Sequence, residues 1–138
     1  MQFPDRWVEN CASLLRAFNE KGVEYLLIGS MAKSHYRSQP QVNDMDLMIN
    51  CTQENQIRVL SVLQQDLNYL YRDDPEKLTK TCKQLPLFDG SVDVLTPPEQ
   101  GFDFDTARSR STEGMVYDIR VPIASMCDLE VLDSLREG

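Results

Sequence analysis

At 138 residues the chain is long enough for one domain with a proper core, spanning 1–138. Apolar content of 41% and charged content of 26% are ordinary for a globular protein, and no apolar run approaches the roughly 20 residues that cross a bilayer. A net charge of −8 argues against a protein that coats nucleic acid, because such binding needs Lys and Arg to neutralise phosphates. A local basic strip or a basic partner would still allow contact with the end of an RNA. The N-terminus, MQFPDRWVEN, lacks a basic region followed by an apolar one, so no secretory signal is expected. The four cysteines are scattered, and with the single His35 they form no zinc pattern. Disulfides are not indicated, and a reducing cytoplasm is the simplest setting.

Pro4-Asp5 followed by RWVENCASLLRAFNEK predicts a first helix with Asp5 as candidate N-cap. Trp7, Val8, Cys11, Leu14, Leu15 and Phe18 recur at three- and four-residue spacing and give it one apolar face. Gly22 stops it, and Val23 to Ile28 is a strand. A Gly29-Ser30 turn then leads into a short helix to about Arg37. Ser38-Gln39-Pro40-Gln41 is a loop, since proline pushes its predecessor out of helical geometry. Asp44 to Ile49 is the second strand. Thr52 caps a helix reaching Leu63 or Leu67, with Ile57, Leu60, Val62 and Leu63 inward.

Asp73-Asp74-Pro75 breaks the chain, and residues 76–87 fit helix or strand. Asp89-Gly90 signals a hairpin pairing Leu87-Phe88 with Ser91 to Leu95, which Thr96-Pro97-Pro98 ends. Gly101 to Phe104 opens an irregular or briefly helical piece that ends near Arg108-Ser109-Arg110. Met115–Tyr117 and Ile119–Val121 are short β segments. Ser125 and Asp128 make a capping box for a last helix through Leu129, Val131, Leu132 and Leu135. Strands interleaved with helices predict an α+β domain, a mixed β-sheet flanked by helices.

The stretch Tyr25 to Asn50 carries the chemistry. Side chains alternate along a strand, so Asp44 and Asp46 share one face, their Cβ atoms roughly 7 Å apart, while Met45, Leu47 and Ile49 enter the core. Paired carboxylates backed by apolar residues are costly without a cation, and hard oxygen donors of this kind suit Mg²⁺ together with substrate phosphates. Asp93, between Val92 and Val94, is the third carboxylate that two divalent ions would need. Gly29 lets the backbone approach phosphates, and Ser30 opens a helix whose free N–H groups attract an anion. Lys33 and Arg37 would offset remaining charge.

Each piece also has an ordinary explanation. A lone Asp-x-Asp means little among 22 acidic residues, and Asp103-Phe104-Asp105 repeats it without an upstream strand and turn. Gly-Ser is most often only a turn, and Asp93 past a hairpin is most often a surface residue. His35 suits packing or a surface contact, and Arg108/Arg110 a solvated patch. The combination carries the argument.

That combination resembles the nucleotidyltransferase superfamily to which DNA polymerase beta belongs. The matching residues are Ile28-Gly29-Ser30, the thirteen residues 31–43, Asp44-Met45-Asp46-Leu47 and a later Asp93. Downstream, GFDFDTARSRSTEGMVYDIRVPIASMCDLEVL resembles the tail of minimal nucleotidyltransferases of the AbiEii-like toxin group. The resemblance implies a mixed sheet of the nucleotidyltransferase fold and transfer of a nucleoside monophosphate from a nucleoside triphosphate (NTP). It implies two Mg²⁺ ions, both held by Asp44 and Asp46 and one by Asp93, with the triphosphate on Gly29 and Ser30. The acceptor would be an RNA end, such as that of tRNA, or a protein hydroxyl, in a toxin–antitoxin or phage-defence setting, with a partner protein possible. Toxin-group relatives often have an Arg and a Thr where this chain has Pro40 and Val42. That departure suits a second reading, a non-catalytic nucleotide-sensing or partner-binding module on the same fold. In a third, the acidic hairpin is purely structural.

Overall fold

The computed structural model describes residues 5–37, 44–66, 84–87, 92–98 and 100–137. The expectations for Ser38 to Gln41, Val42, Asp73-Asp74-Pro75, residues 76–83 and Asp89-Gly90 lie outside those residues.

The first helix, α1, runs Asp5–Lys21, so Asp5 is its first residue rather than the residue before it. Cys11, Leu14, Leu15 and Phe18 are fully buried, as their spacing predicts; the side chain of Trp7 lies outside the described ones. Gly22 ends the helix at φ +71, a conformation open to a residue without a Cβ. The Gly22 N–H donates to the Asn19 carbonyl and the Val23 N–H to the Phe18 carbonyl, a Schellman closure. Strand β1 is Tyr25–Ile28, helix α2 Gly29–Arg37 and strand β2 Met45–Ile49.

Helix α3, Gln53–Ser61, is capped by the Thr52 hydroxyl, which accepts from the Asn55 N–H, and continues as a π turn over Val62–Asp66. Its inward stripe is the expected one at Val62 and Leu63, with Leu60 partly buried, but not at Ile57. Ile57 is 60% exposed, whereas Asn55, Gln56, Val59, Val62 and Leu63 are buried. Asn55 faces inward because its amide closes backbone groups at the ends of two strands. Its Oδ1 accepts from the Glu24 N–H at 2.6 Å, and its Nδ2 donates to the carbonyls of Glu24 at 3.0 Å and Asn50 at 2.9 Å. Leaving those buried groups unpaired would cost more than burying an amide that satisfies them.

Strands β3, Gln84–Leu87, and β4, Val92–Leu95, pair antiparallel, with Leu87 opposite Val92. Helix α4, Phe104–Ser109, is capped by Asp103, which also places the second Asp-x-Asp at an exposed helix start. Strands β5, Thr112–Val116, and β6, Ile119–Ile123, form a hairpin with a two-residue turn at Tyr117-Asp118, and α5 spans Met126–Glu137. The six strands make one sheet in the order β3-β4-β2-β1-β6-β5. It is mixed: β2 runs parallel to β4 and β1 to β6, and the other neighbours are antiparallel. This is an α+β architecture with helices flanking a mixed sheet.

Register sorts the side chains by face. Leu27, Leu47 and Val94 form one row across β1, β2 and β4, each no more than 1% exposed. Tyr25 shares that face of β1 and sets its ring 5.4 Å from Phe18, so α1 covers this side. Met45, Leu47, Met48 and Ile49 of β2 are all at most 2% exposed, and burial of each contributes about 1.5–3 kcal/mol, which anchors β2 in the sheet. Among the described residues no helix is long and apolar enough to cross a membrane. Among the described residues Cys11 and Cys127 are free thiols, and burial pushes that of Cys11 up to about 12.

The start of α5 joins two features that the sequence presents separately. The Ser125 hydroxyl accepts from the Asp128 N–H at 3.1 Å and donates to Asp128 Oδ2 at 2.8 Å. Arg110 grips the same buried carboxylate from α4's end, Nε to Oδ2 at 3.1 Å and Nη2 to Oδ1 at 2.6 Å. The Arg108/Arg110 segment is therefore only in part a solvated patch. Ser125→Ala is expected to cost about 1 kcal/mol, lowering Tm by about 3–4 °C in a thermal melt. Arg110 above all, with Ser125, holds the Asp128 carboxyl below the usual carboxylate range against the opposing effect of burial. Its folded pKa is thus lower than its unfolded one, near 4. The stability it contributes is present above about pH 4 and is lost as pH falls through the folded value. The Asp103 carboxyl, held low by the Thr106 hydroxyl and N–H, adds to the same loss. Tm should therefore fall on acidification below about pH 4, and less steeply in Asp128→Asn.

Candidate active site

Three strands and one helix start build the site. Pairing of β1 with β2 sets Ile28 opposite Asp46, and parallel pairing of β2 with β4 sets Asp46 opposite Asp93. Ile28, Asp46 and Asp93 therefore form a row on the sheet face opposite the Leu27-Leu47-Val94 row. Adjacent strands are about 4.8 Å apart, so Asp46 and Asp93 are immediate neighbours. Both are half-buried. Val92 and Val94 are buried on the other side, as alternation around Asp93 predicts. Asp44 is exposed and stands just ahead of β2, which begins at Met45 rather than at Asp44.

Gly29 closes the other flank. It begins α2 at φ +75, and a Cβ built there would lie 2.3 Å from Asp46 Oδ2 and 3.1 Å from its Cγ. Only a glycine lets the backbone turn from β1 into α2 against that carboxylate. The first turn of α2 holds no acidic side chain of its own, and the start of a helix attracts an anion. Ser30 is exposed on that turn.

No protein-family model, curated protein or solved structure matches the chain. The site is therefore read from its own geometry.

The structure draws Gly29, Ser30, Asp46 and Asp93 into one neighbourhood and treats the cations differently. Lys33, one turn into α2, pairs its ammonium with the Asp133 carboxylate of α5. Nothing in the local sequence marks Asp133 as its partner, because the two lie 100 residues apart. Arg37 is exposed at the far end of α2, about 12 Å along the axis from Gly29. His35 lies outside this cluster; its ring meets Tyr36 edge-on at 5.1 Å, a packing contact. A cleft of about 500 Å³ between α1 and the Tyr117-Asp118 turn contains none of these residues.

Among the described residues, no three His, Cys, Asp or Glu side chains stand together as a group able to hold a metal ion. The donor set still suits Mg²⁺. Asp46 and Asp93 supply two hard oxygen donors, and Mg²⁺ commonly takes one or two carboxylates and completes its shell with water and substrate phosphate. The Asp46 carboxylate lies directly against the Gly29 backbone, in the space that a Cβ would need.

Proposed function

We propose that this chain is a Mg²⁺-dependent nucleotidyltransferase of the DNA polymerase beta-like kind. It moves a nucleoside monophosphate from an NTP to a hydroxyl of a macromolecule, either an RNA end or a protein side chain. A toxin–antitoxin or defence setting and a partner protein belong to the same proposal. The observation that carries the reading is the register pairing of Asp46 with Asp93, with the Gly29 backbone pressed against the Asp46 carboxylate at the start of α2.

On this reading the start of α2 and the Ser30 hydroxyl hold the triphosphate tail, and the register neighbours Asp46 and Asp93, with Asp44 just ahead of β2, would be the metal ligands. Mg²⁺ bound there supplies charge neutralisation and lowers the pKa of the attacking hydroxyl. Asp93 lies beside the reacting centre and accepts the hydroxyl proton. The acceptor oxygen bonds to the α-phosphorus, the bond from that phosphorus to the β-phosphate oxygen breaks, and pyrophosphate leaves. Positioning and electrostatics carry most of the rate in such transfers, and rigid neighbouring strands suit that demand.

The test incubates the native protein with Mg²⁺, each α-labelled NTP, and total RNA or total protein as acceptor. Label should enter one acceptor class with release of pyrophosphate, and removing Mg²⁺ should stop it. One observation favours the second reading, a nucleotide-sensing or partner-binding module: the Lys33 ammonium is engaged by Asp133. Mg²⁺-dependent NTP binding without label transfer to either acceptor would select that module.

A further inference from the structure

Helix α2 starts at the proposed triphosphate site and leans on α5. Two polar contacts join them. The Tyr36 hydroxyl donates to the Ala124 carbonyl at 2.8 Å, just before α5, and Lys33 pairs with Asp133 on α5 itself. Lys33 and Tyr36 are three residues apart, so one stripe of α2 makes both contacts. Gly29 lies four residues before Lys33 on the same side of the helix. Side chains on a helix tilt toward its N-terminus, which directs the Lys33 stem back toward the Gly29-Ser30 turn.

Lys33 is the α2 cation nearest that turn, yet its charge is committed elsewhere. Its side chain is 25% exposed and that of Asp133 44%, so water reaches the pair. A partly exposed ion pair of this kind is weak and readily exchanged. A triphosphate at the start of α2 would bring several negative charges within reach of the same ammonium, against the one charge on Asp133.

We propose that Asp133 competes with the triphosphate for Lys33, so that α5 holds this cation in the nucleotide-free protein and releases it when nucleotide binds. The proposal rests on the nucleotidyltransferase reading and adds a regulatory contact to its site. Asp133 touches neither substrate nor metal. Its carboxylate sets the availability of a phosphate-binding side chain, and nucleotide binding in turn cuts a polar tie between α2 and α5.

The test measures Kd for a non-hydrolysable NTP with Mg²⁺, by calorimetry, on four full-length proteins: native, Asp133→Asn, Lys33→Met and the double variant. Asp133→Asn should bind about two- to fivefold more tightly than native, the range expected from losing a weak competing pair. Lys33→Met should bind more weakly, and in its background Asp133→Asn should have no further effect, because the cation under competition is gone. Native-like melting of each variant accompanies the comparison. An unchanged or weakened Kd in Asp133→Asn, with the native protein binding, overturns the competition and leaves the functional reading standing. An equal tightening with and without Lys33 also overturns it. Absence of NTP binding by the native protein overturns the functional reading, and the competition with it.

Discussion

Asp46→Asn is expected to lower nucleotidyl transfer by about 10³-fold, about 4 kcal/mol of transition-state stabilisation, while the protein stays folded. Asparagine has nearly the shape of aspartate, so the β1–β2 and β2–β4 pairings on either side of residue 46 keep their backbone partners. The buried neighbours Met45, Leu47 and Met48 keep their packing as well. What changes is charge. One of the two adjacent carboxylates becomes neutral, and the site loses the anionic donor that lies between Gly29 and Asp93. Mg²⁺ should raise the Tm of the native protein by mass action and have little effect on the variant. The decisive pair of measurements is label transfer and Tm with and without Mg²⁺. Transfer within about threefold of native in a folded Asp46→Asn protein would remove Asp46 from the chemistry, whatever the fold resembles.

Local patterns in the sequence carry the elements and lose the partners. The stripe Cys11, Leu14, Leu15 and Phe18 gives α1, and alternation around Asp46 gives β2 and the face on which its carboxylate lies. The inward stripe of α3 is legible at Val62 and Leu63 but not at Asn55 and Gln56, because these two are amides. Their reason for burial is the unsatisfied backbone at Glu24, Asn50 and Cys51, which becomes visible only once the strands are placed. The β5–β6 turn was hidden for a different reason. Tyr117 and Asp118 both adopt positive φ, 50° and 64°, in a position that sequence reading assigns to Gly or Asn.

The site divides in the same way. Gly29-Ser30 and Asp46 stand close together along the chain, and their spacing makes them legible. That Asp93 falls opposite Asp46, rather than one residue out of step and on the other face, is a property of the β2–β4 register. No local pattern sets it. Ion pairs are less legible still. Lys33 and Asp133, or Arg110 and Asp128, carry no local sign of each other until the fold brings them together.

Gly29→Ala is expected to cost about 1–3 kcal/mol of stability and to weaken NTP binding by about tenfold or more. Two separate effects act at this residue. The first is backbone: at φ +75 any L side chain meets its own carbonyl, and that strain appears in the melting temperature. The second is local to the site. The new Cβ would sit 2.3 Å from Asp46 Oδ2 and 3.3 Å from Asp46 Cβ, and β2 cannot retreat because it is paired on both sides. The carboxylate must rotate away, taking one oxygen donor out of the row it shares with Asp93. Gly101→Ala separates the two effects. Gly101 also has positive φ, at +85, but the nearest atoms to its added Cβ belong to the flexible side chain of Leu135, at 3.1 Å, on α5. Gly101→Ala should therefore lose comparable stability and keep nucleotide affinity and transfer near native levels. If both alanine variants melt early and both bind NTP as the native protein does, the backbone at Gly29 has no part in holding phosphate. The glycine would then serve the turn alone.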